Sequence, residues 1–406
     1  MELLIVADDL TGAADAAVPF AGTRETAVLV QAGASWPAAE VLAINTESRY
    51  LDERSARKSV GETLLKATVH SSVRVFKKID SLMRGNVGVE IAATLEALSR
   101  PDRPVLAIVA PAFPRTGRTT VDGCVHVEGS RDSANIDIGK VLADVGLSHA
   151  LVLRDQWTDA ESLSELLRQI LSARIDTVIV DALDDVDLSA IVAAAKVLGE
   201  QALLVGSGGL AARLALSMAE EDATTAPDAS RRVCRAEGNT LVVIGSYAPT
   251  SAAQLNELVR AGFEHVHLDH AATGNSESIN PDTTISSLQA ALSRGRAVLT
   301  PDPSAPLDKK QAKKIAAALG AVVQAVHTNV SSIVISGGET AFAVLDRLDI
   351  PVLNIRGEIQ PGIVAAEMPG LRQPFVTKSG AFGDVDALTS VVEYLEKPMH
   401  KATKGI

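Results

Sequence analysis

Short apolar runs that stop abruptly in polar clusters recur along this chain. The first, Leu3-Leu4-Ile5-Val6, has the length and branching of a buried strand. It ends in two adjacent carboxylates, Asp8 and Asp9, before Thr11, Gly12 and small helix-forming residues. This pattern predicts a strand, an acidic turn and a helix N-terminus. Further strands are predicted at Glu25–Gln31, Val41–Asn45, Val73–Ile79, Val105–Ala110, Asp176–Asp181 and Ala202–Val205. Helical spacing covers Ser55–Val69, Asp137–Asp144 and Ala160–Ala173. Strands alternating with helices predict a mostly parallel sheet. In open α/β sheets, ligands collect at the carboxyl ends of the strands.

The polar clusters lie at those ends. Asn45 leads into Thr46, Glu47, Ser48 and Arg49; the strand carrying Lys77 and Lys78 opens into Asp80, Ser81, Arg84, Gly85 and Gly88. The run Val105–Ala110 continues into PAFPRTGRTTVDG, which supplies Arg115, Arg118, Thr119 and Thr120. Two like charges side by side, as at Asp8 and Asp9, cost stability unless a cation or hydroxyl shares the site. The bland alternative is a solvated turn in which Asp9 or Thr11 caps the helix. Farther on, Gly206, Gly208 and Ala211 match G-x-G-x-x-A between a strand and a helix. A dinucleotide site would also want an acidic residue ending the next strand about 20 residues on. That position falls at Glu220 and Glu221, near a helix end, so the dinucleotide reading is rejected. A glycine turn remains, either facing an anion with its amides or simply making a tight connection.

The stretch Glu220–Asn239 lacks apolar periodicity and predicts the domain junction. Beyond it, Thr240–Ile244 is a strand ending in Gly245 and Ser246, and Thr250–Ala261 is an amphipathic helix after Pro249. Ala271–Thr284 reads as a loop, Arg296–Thr300 as a strand, and Asp308–Asn329 as a long helix with a solvated, lysine-rich start. Ser332–Ile335 then runs into Ser336, Gly337, Gly338, Glu339 and Thr340. Pro351–Ile355 runs into Arg356, Gly357, Glu358, Ile359, Gln360 and Gly362; Phe375–Lys378 runs into Gly380, Gly383 and Asp384, before a closing helix to Leu395. Each glycine cluster is compatible with turn geometry. At several strand ends of one domain, they also let the main chain approach a ligand closely.

Composition narrows the classes. A chain of 406 residues suggests two domains, and 47% hydrophobic with 22% charged residues describes a globular protein with ample core. A net charge of −12 argues against nucleic acid or an anionic membrane as partner. Cys124 and Cys234 lie too far apart to suggest a disulfide framework or a cysteine-rich zinc site. The histidines show no ligand spacing, and His265 and His267 read as structural. No basic segment precedes an apolar one at the start, and no apolar run approaches the ~20 residues that span a bilayer. A cytoplasmic protein is expected.

Taken in order, ADDLTGAADAA, KKIDSLMRGNVG, PAFPRTGRTT, GSGGLA, GSYAPTSAAQL, ISGGETAFAVL, RGEIQPG and KSGAFGD extend over nearly the whole chain. As a set they resemble the four-carbon acid sugar kinases, which phosphorylate threonate, erythronate or 3-oxo-tetronate with ATP. The sequence departs from the family pattern at Ala14, where Thr or Asn is usual, and at Leu82-Met83, where Thr-Leu is common. The resemblance implies a sugar-acid domain over 1–222, a linker over 223–238, a nucleotide domain over 239–396 and a tail over 397–406. It implies a mostly parallel sheet flanked by helices in each domain, with the active site in the inter-domain cleft. The sugar-acid site would hold Asp9, Arg49, Lys78, Ile79, Asp80 and Ser81, with Asp8 and Arg84 beside them. The ATP side would hold Ser246, Gly337, Gly338, Glu339, Thr340, the segment Gly357, Glu358, Ile359 and Gln360, and the loop from Gly380 to Gly383.

The residue chemistry agrees with that assignment. A polyhydroxy carboxylate needs cations, for which Arg49 or Lys78 is suited, and carboxylates for its hydroxyls, such as Asp9 and Asp80. The chain has neither a Walker A motif nor the protein-kinase signature set, so glycine turns must serve ATP. The expected reaction is in-line transfer of the γ-phosphoryl group to the terminal (4-) hydroxyl of D-erythronate or D-threonate. Mg²⁺ would bridge the ATP phosphates, its protein ligands unassigned. Asp80 or Asp9 would accept the proton, and Lys78, Arg84 or Arg118 would balance charge. The rival readings are a 3-oxo-tetronate kinase, a non-catalytic two-domain sensor of sugar acids, and an NAD-linked oxidoreductase resting only on the Gly206 pattern. Neither nucleic acid nor membrane is an expected partner, and a homodimer is left open.

Overall fold

The computed structural model describes residues 1–67, 73–129, 136–221, 238–269, 281–302 and 311–396. The chain divides into two compact units, Met1–Asp228 and Ala229–Ile406. Most of the linker predicted at 223–238, and the tail at 397–406, lie outside the described residues.

The first unit alternates strands and helices: β1 (Leu3–Ala7), α1 (Leu10–Ala17), β2 (Thr26–Leu29), β3 (Val41–Asn45), α2 (Glu53–Ala67), β4 (Arg74–Lys78), α3 (Val87–Leu98) and β5 (Leu106–Ala110). A small antiparallel sheet follows, made of β6 (Arg118–Val121), β7 (Cys124–Val127) and β8 (Ile136–Asp137). Then come α4 (Ile138–Ala143), β9 (His149–Val152), α5 (Ala160–Ser172), β10 (Thr177–Val180), α6 (Asp185–Leu198), β11 (Ala202–Gly206) and α7 (Gly208–Glu221). Eight strands form one parallel sheet in the order β2-β3-β1-β4-β11-β5-β10-β9. Every residue of β1, β3 and β5 is buried. That is why these strands read as unbroken apolar runs instead of alternating ones.

The second unit contains β12 (Thr240–Ile244), α8 (Pro249–Arg260), β13 (Glu264–His267), α9 (Pro281–Arg294), β14 (Ala297–Thr300), α10 (Ala312–Val326), β15 (Ser332–Ser336) and α11 (Gly338–Arg347). It closes with β16 (Val352–Gln360), β17 (Ile363–Glu367), β18 (Pro374–Lys378) and α12 (Ala387–Glu396). Its sheet runs β13-β14-β12-β15-β18-β17-β16, parallel through β18 and antiparallel beyond. Leu258 of α8 and Leu388, Val391 and Leu395 of α12 pack with Val242, Val334 and Val376 of the central strands.

Two expectations are corrected. The loop expected over Ala271–Thr284 ends earlier, because α9 begins at Pro281; the fixed φ of proline suits the first helical position. The rest of that loop lies outside the described residues, apart from Thr284 and its neighbours in the helix. The strand expected to stop at Ile355 continues to Gln360, so Gly357, Glu358, Ile359 and Gln360 lie in a hairpin strand, not in a loop. Register shifts after Ile355 and Glu358 let β16 bend without losing its partner. Arg118, Thr119 and Thr120, which follow Val105–Ala110 in the sequence, lie in a strand, β6.

The glycines after β11 are explained by packing. A methyl group on Gly206 would meet the Ala110 carbonyl oxygen at 2.7 Å, and one on Gly209 would meet that of Ala112 at 2.7 Å. One on Gly208 would meet the Asp15 carboxylate at 2.3 Å. The tight-turn explanation accounts for all three.

Candidate active site

In the first unit Ala7 is level with Asn45 on one side and Lys78 on the other. The segments that follow β1, β3 and β4 therefore emerge together. Arg49, after β3, reaches the carboxylate pair after β1. Its Nε and Nη2 donate to Asp8 at 2.7 and 2.9 Å, and its Nη1 donates to Asp9 at 2.7 Å. One guanidinium thus neutralises two adjacent carboxylates with charge-assisted bonds. Burial opposes the Arg49 charge, but Asp9 and Asp8 outweigh it and hold the group well above its ordinary pKa. Asp9 also caps α1, accepting from Gly12 N at 2.8 Å and the Thr11 hydroxyl at 2.9 Å. The cap and the charge cluster are the same residue, so those two readings of Asp9 are compatible.

After β4 the main chain turns sharply, with Met83 at φ +56° and Gly85 at φ +90°. Asp80 holds this turn: its Oδ2 accepts from Leu82 N at 3.0 Å and Arg84 N at 3.3 Å. The Arg84 side chain then clamps both oxygens, at 2.8 and 2.7 Å. Burial favours the protonated acid, but the Arg84 bonds and the charges of Arg49, Arg84 and Lys78 prevail. They keep Asp80 ionised well below the usual carboxylate range. Buried Lys78 donates to the Ile79 carbonyl at 3.0 Å. A methyl on Gly12 would sit 2.4 Å from Asp9 Oδ1 and 3.3 Å from Lys78 Nζ, so the two groups flank one glycine. Arg118, from β6, donates through Nη1 to Ser81 Oγ at 2.7 Å, and burial lowers its pKa. The structure therefore gathers Asp8, Asp9, Arg49, Lys78, Ile79, Asp80, Ser81 and Arg84 at three neighbouring strand ends.

Behind this cluster lies a pair that the sequence reading missed. Lys77 and Glu90 form an ion pair that is closed to solvent, and Glu90 also accepts from Ser48, the residue before Arg49, at 2.6 Å. The signal was available in principle. Lys77 and Lys78 are consecutive in a strand, so they face opposite sides of a covered sheet, and each needs a polar partner.

In the second unit the ends of β12, β15 and β18 are adjacent. Gly245 N donates to Ser336 O at 3.0 Å and Gly337 N to Lys378 O at 2.9 Å, which draws the three turns together. They touch at their glycines. A methyl on Gly245 would meet Thr340 Oγ1 at 1.9 Å, and one on Gly380 would meet Ser246 Oγ at 1.9 Å. Gly337 has φ +120° and would place a methyl 3.3 Å from Ser246 N. Gly338, Glu339 and Thr340 form the first turn of α11, whose amides and dipole face the same end of the sheet. Ser246, Gly337, Gly338, Glu339, Thr340 and Gly380 are thus brought together.

The Gly357–Gln360 segment joins them indirectly. Glu358 Oε1 accepts from Gly362 N at 2.9 Å, closing the hairpin tip, and a methyl on Gly362 would meet the Phe382 ring at 2.6 Å. Gly383, at φ +78°, completes the loop after β18. Among the described residues no group of three or more His, Cys, Asp or Glu could hold a metal ion, and no helix is long and apolar enough to cross a membrane.

Comparison with known proteins finds two domain families along the chain. A sugar-binding N-terminal domain family matches residues 3–214, and a nucleotide-binding C-terminal domain family matches residues 241–388. A D-threonate kinase of Cupriavidus necator is 32% identical over 96% of both chains. The chain belongs to the four-carbon acid sugar kinase family. A second acid sugar kinase, the D-threonate kinase of Bordetella bronchiseptica, is 31% identical over 97% of both chains. A 3-oxo-tetronate kinase of Methylobacterium radiotolerans is 27% identical, covering 94% of this chain and 96% of its own. Among solved structures, a Salmonella typhimurium LT2 chain described as a tRNA synthase has a TM-score of 0.78 at 20% identity, covering 97% of this chain and 99% of its own. At that identity the likeness shows the fold alone.

Proposed function

We propose that the protein transfers the γ-phosphoryl group of ATP to the terminal hydroxyl of a four-carbon sugar acid, with D-threonate as the first substrate to test. The observation that carries this reading is the contrast between the units. The first presents charged side chains at adjacent strand ends, and the second presents glycine main chain at adjacent strand ends. Side-chain cations and carboxylates suit a small polyhydroxy carboxylate, and close-approaching amides at a helix N-terminus suit a triphosphate. The kinases named for D-threonate at 32% and 31% identity support that choice of acid.

In this mechanism Arg49 and Lys78 bind the substrate carboxylate, and the Asp8 and Asp9 carboxylates orient its hydroxyls. Asp9 accepts the proton of the attacking hydroxyl. It is the more accessible candidate, with 17% of its side chain exposed against 8% for Asp80. One guanidinium, Arg84, clamps both oxygens of Asp80, whereas Asp9 shares its oxygens among Arg49, Thr11 and Gly12 N. The role of Asp80 is to hold the Arg84 guanidinium where negative charge develops on the transferring group. Mg²⁺ bound to the phosphates would neutralise triphosphate charge, a role in which it keeps mostly water and phosphate oxygens as ligands. Transfer by this route depends mainly on positioning and charge neutralisation.

The test is a coupled ADP-release screen of the purified protein over D- and L-threonate, D- and L-erythronate and the 3-oxo acid. Turnover with D-threonate supports the reading, whereas preference for the 3-oxo acid moves the substrate within the family. Absence of turnover with every acid, alongside tight binding of one of them, would favour a sensor.

A further inference from the structure

The strand β18 ends in Lys378, whose side chain has no solvent-accessible surface. Its ammonium group donates to three carbonyls of the loop that follows: Ser379 at 3.0 Å, Gly380 at 3.2 Å and Phe382 at 2.8 Å. Two side chains of α8 grip the same loop. Ser251 Oγ donates to Gly380 O at 3.1 Å, and buried Gln254 donates through Nε2 to the carbonyls of Phe382, Gly383 and Asp384 at 3.2, 3.2 and 2.8 Å.

These donors turn the carbonyls of residues 379, 380, 382, 383 and 384 towards the body of the unit. A peptide unit is planar and trans, so each N–H points away from the carbonyl of the preceding residue. Inward carbonyls at 379, 380, 382 and 383 therefore direct the N–H groups of Gly380, Ala381, Gly383 and Asp384 outward. The Phe382 N–H instead closes the loop on Ser379 O. Successive outward amides form an anion-binding concavity. It lies beside Ser246, since a methyl on Gly380 would overlap Ser246 Oγ.

We propose that Lys378, with Gln254 beside it, is a positioning residue that folds residues 379–384 into a main-chain cradle for the ATP phosphates. The proposal rests on the reading of the second unit as the nucleotide-binding one. A buried ammonium bonded to carbonyls alone is costly; a hydrocarbon of similar length would fill the space without that cost. What the charge adds is a fixed carbonyl array and a positive field behind an anion site.

The proposal has a titratable signature, because burial lowers the Lys378 pKa to about 8. The ionisable groups on the neighbouring segments are Tyr247 after β12, Glu257 and Arg260 on α8, Glu339, Asp346 and Arg347 on α11, Arg356 and Glu358 on β16, Glu367 on β17, and Asp384 and Asp386 past the loop; burial, not any of these, causes the shift. Above that pH the neutral amine loses one donor and its charge, and the loop relaxes.

The experiment measures KM for ATP, KM for D-threonate and kcat for the wild type and Lys378→Met between about pH 6.5 and pH 9.5. It also measures hydrogen exchange of amides 379–384 in the wild type with and without Mg·ATP. The wild-type KM for ATP should rise roughly tenfold between about pH 7.5 and pH 9 while KM for D-threonate stays level. Lys378→Met should show an elevated, pH-independent KM for ATP. Mg·ATP should protect amides 379–384. If Mg·ATP protects those amides but KM for ATP is flat with pH and unchanged in the variant, Lys378 has no such role and the nucleotide reading stands. If ATP is turned over without any protection there, the placement of the nucleotide is wrong and the proposal falls with it. Should Lys378→Met fail to fold, the wild-type pH profile decides the matter alone.

Discussion

Lys77 and Glu90 meet at 2.7 Å with neither side chain reaching solvent, directly behind the segment that carries Arg49. Lys77 Nζ also donates to the carbonyls of Val6 and Lys78 at 3.2 and 2.8 Å. Burial raises the Glu90 pKa, and the Lys77 charge and hydrogen bonds to its carboxylate work against that rise. Breaking such a pair from one side leaves an uncompensated charge in the interior, which costs on the order of 3–5 kcal/mol. Urea denaturation should find that loss for Glu90→Gln and for Lys77→Met. The double variant Lys77→Met/Glu90→Leu should recover at least half of it. A double variant as unstable as the sum of the two single variants would mean that the charges are not coupled.

Arg49 is the shared partner of Asp8 and Asp9, so its loss leaves two neighbouring carboxylates facing one another. Arg49→Met should lower kcat/KM for the sugar acid by roughly a hundredfold or more, with KM for ATP changed little. Arg49→Lys should recover only part, because an ammonium cannot reproduce the bidentate fork. If KM for ATP takes the larger change, Arg49 has been placed on the wrong substrate.

Asp9 and Asp80 are separable by an amide substitution. Asparagine is as good a helix cap as aspartate, so Asp9→Asn should keep α1 intact while lowering kcat by about 10²-fold or more if Asp9 is the base. Normal turnover in Asp9→Asn removes it from that role.

Gly380 and Ser246 set a steric test for the second unit. A methyl on Gly380 would lie 1.9 Å from Ser246 Oγ. Gly380→Ala should therefore raise KM for ATP and leave KM for the sugar acid unchanged. Adding Ser246→Gly removes the clash and should recover part of the loss, measured as a double-mutant cycle. No recovery would locate the damage in the backbone conformation of the loop.

The Asp80 pKa carries a sign for acid stability. Its folded pKa lies below its ordinary value because Arg84, Arg49 and Lys78 favour the charged form against burial. The unfolded chain therefore takes up the proton first as pH falls below about 4. The contribution of Asp80 is complete above that pH and is lost as pH falls towards the folded pKa. Asp80→Asn should be less stable than the wild type at pH 7, and the difference should narrow below about pH 4 in urea denaturation. A constant difference across pH would show that the Asp80 charge is not what stabilises the turn.

The parts of the site that were legible in the sequence are those set by local pattern. A buried parallel strand must be an apolar run, and polar residues such as Asp8, Arg49 and Asp80 then mark where it ends. The hairpin was not legible. Arg356 and Gly357 interrupt the apolar pattern, yet β16 continues because β17 pairs with it and Glu367 takes the Arg356 charge. Gln254 was hidden for a similar reason: inside an amphipathic helix nothing local marks it, and its significance comes from the loop it faces, about 130 residues later.

By itself the amino-acid sequence determined that this is an α/β chain in two parts, with charged strand ends in one part and glycine-rich strand ends in the other. The length of an apolar run and the identity of the residue that stops it are local properties, written in one dimension. Tertiary structure alone decided the partners: that Arg49 answers Asp8 and Asp9, that Lys77 finds Glu90, and that Lys378 is left with carbonyls. The physical reason is strand order and register. Placing Ala7 level with both Asn45 and Lys78 converts three distant segments into one surface, and hydrogen-bond pairing across a sheet is a long-range choice that no single segment encodes.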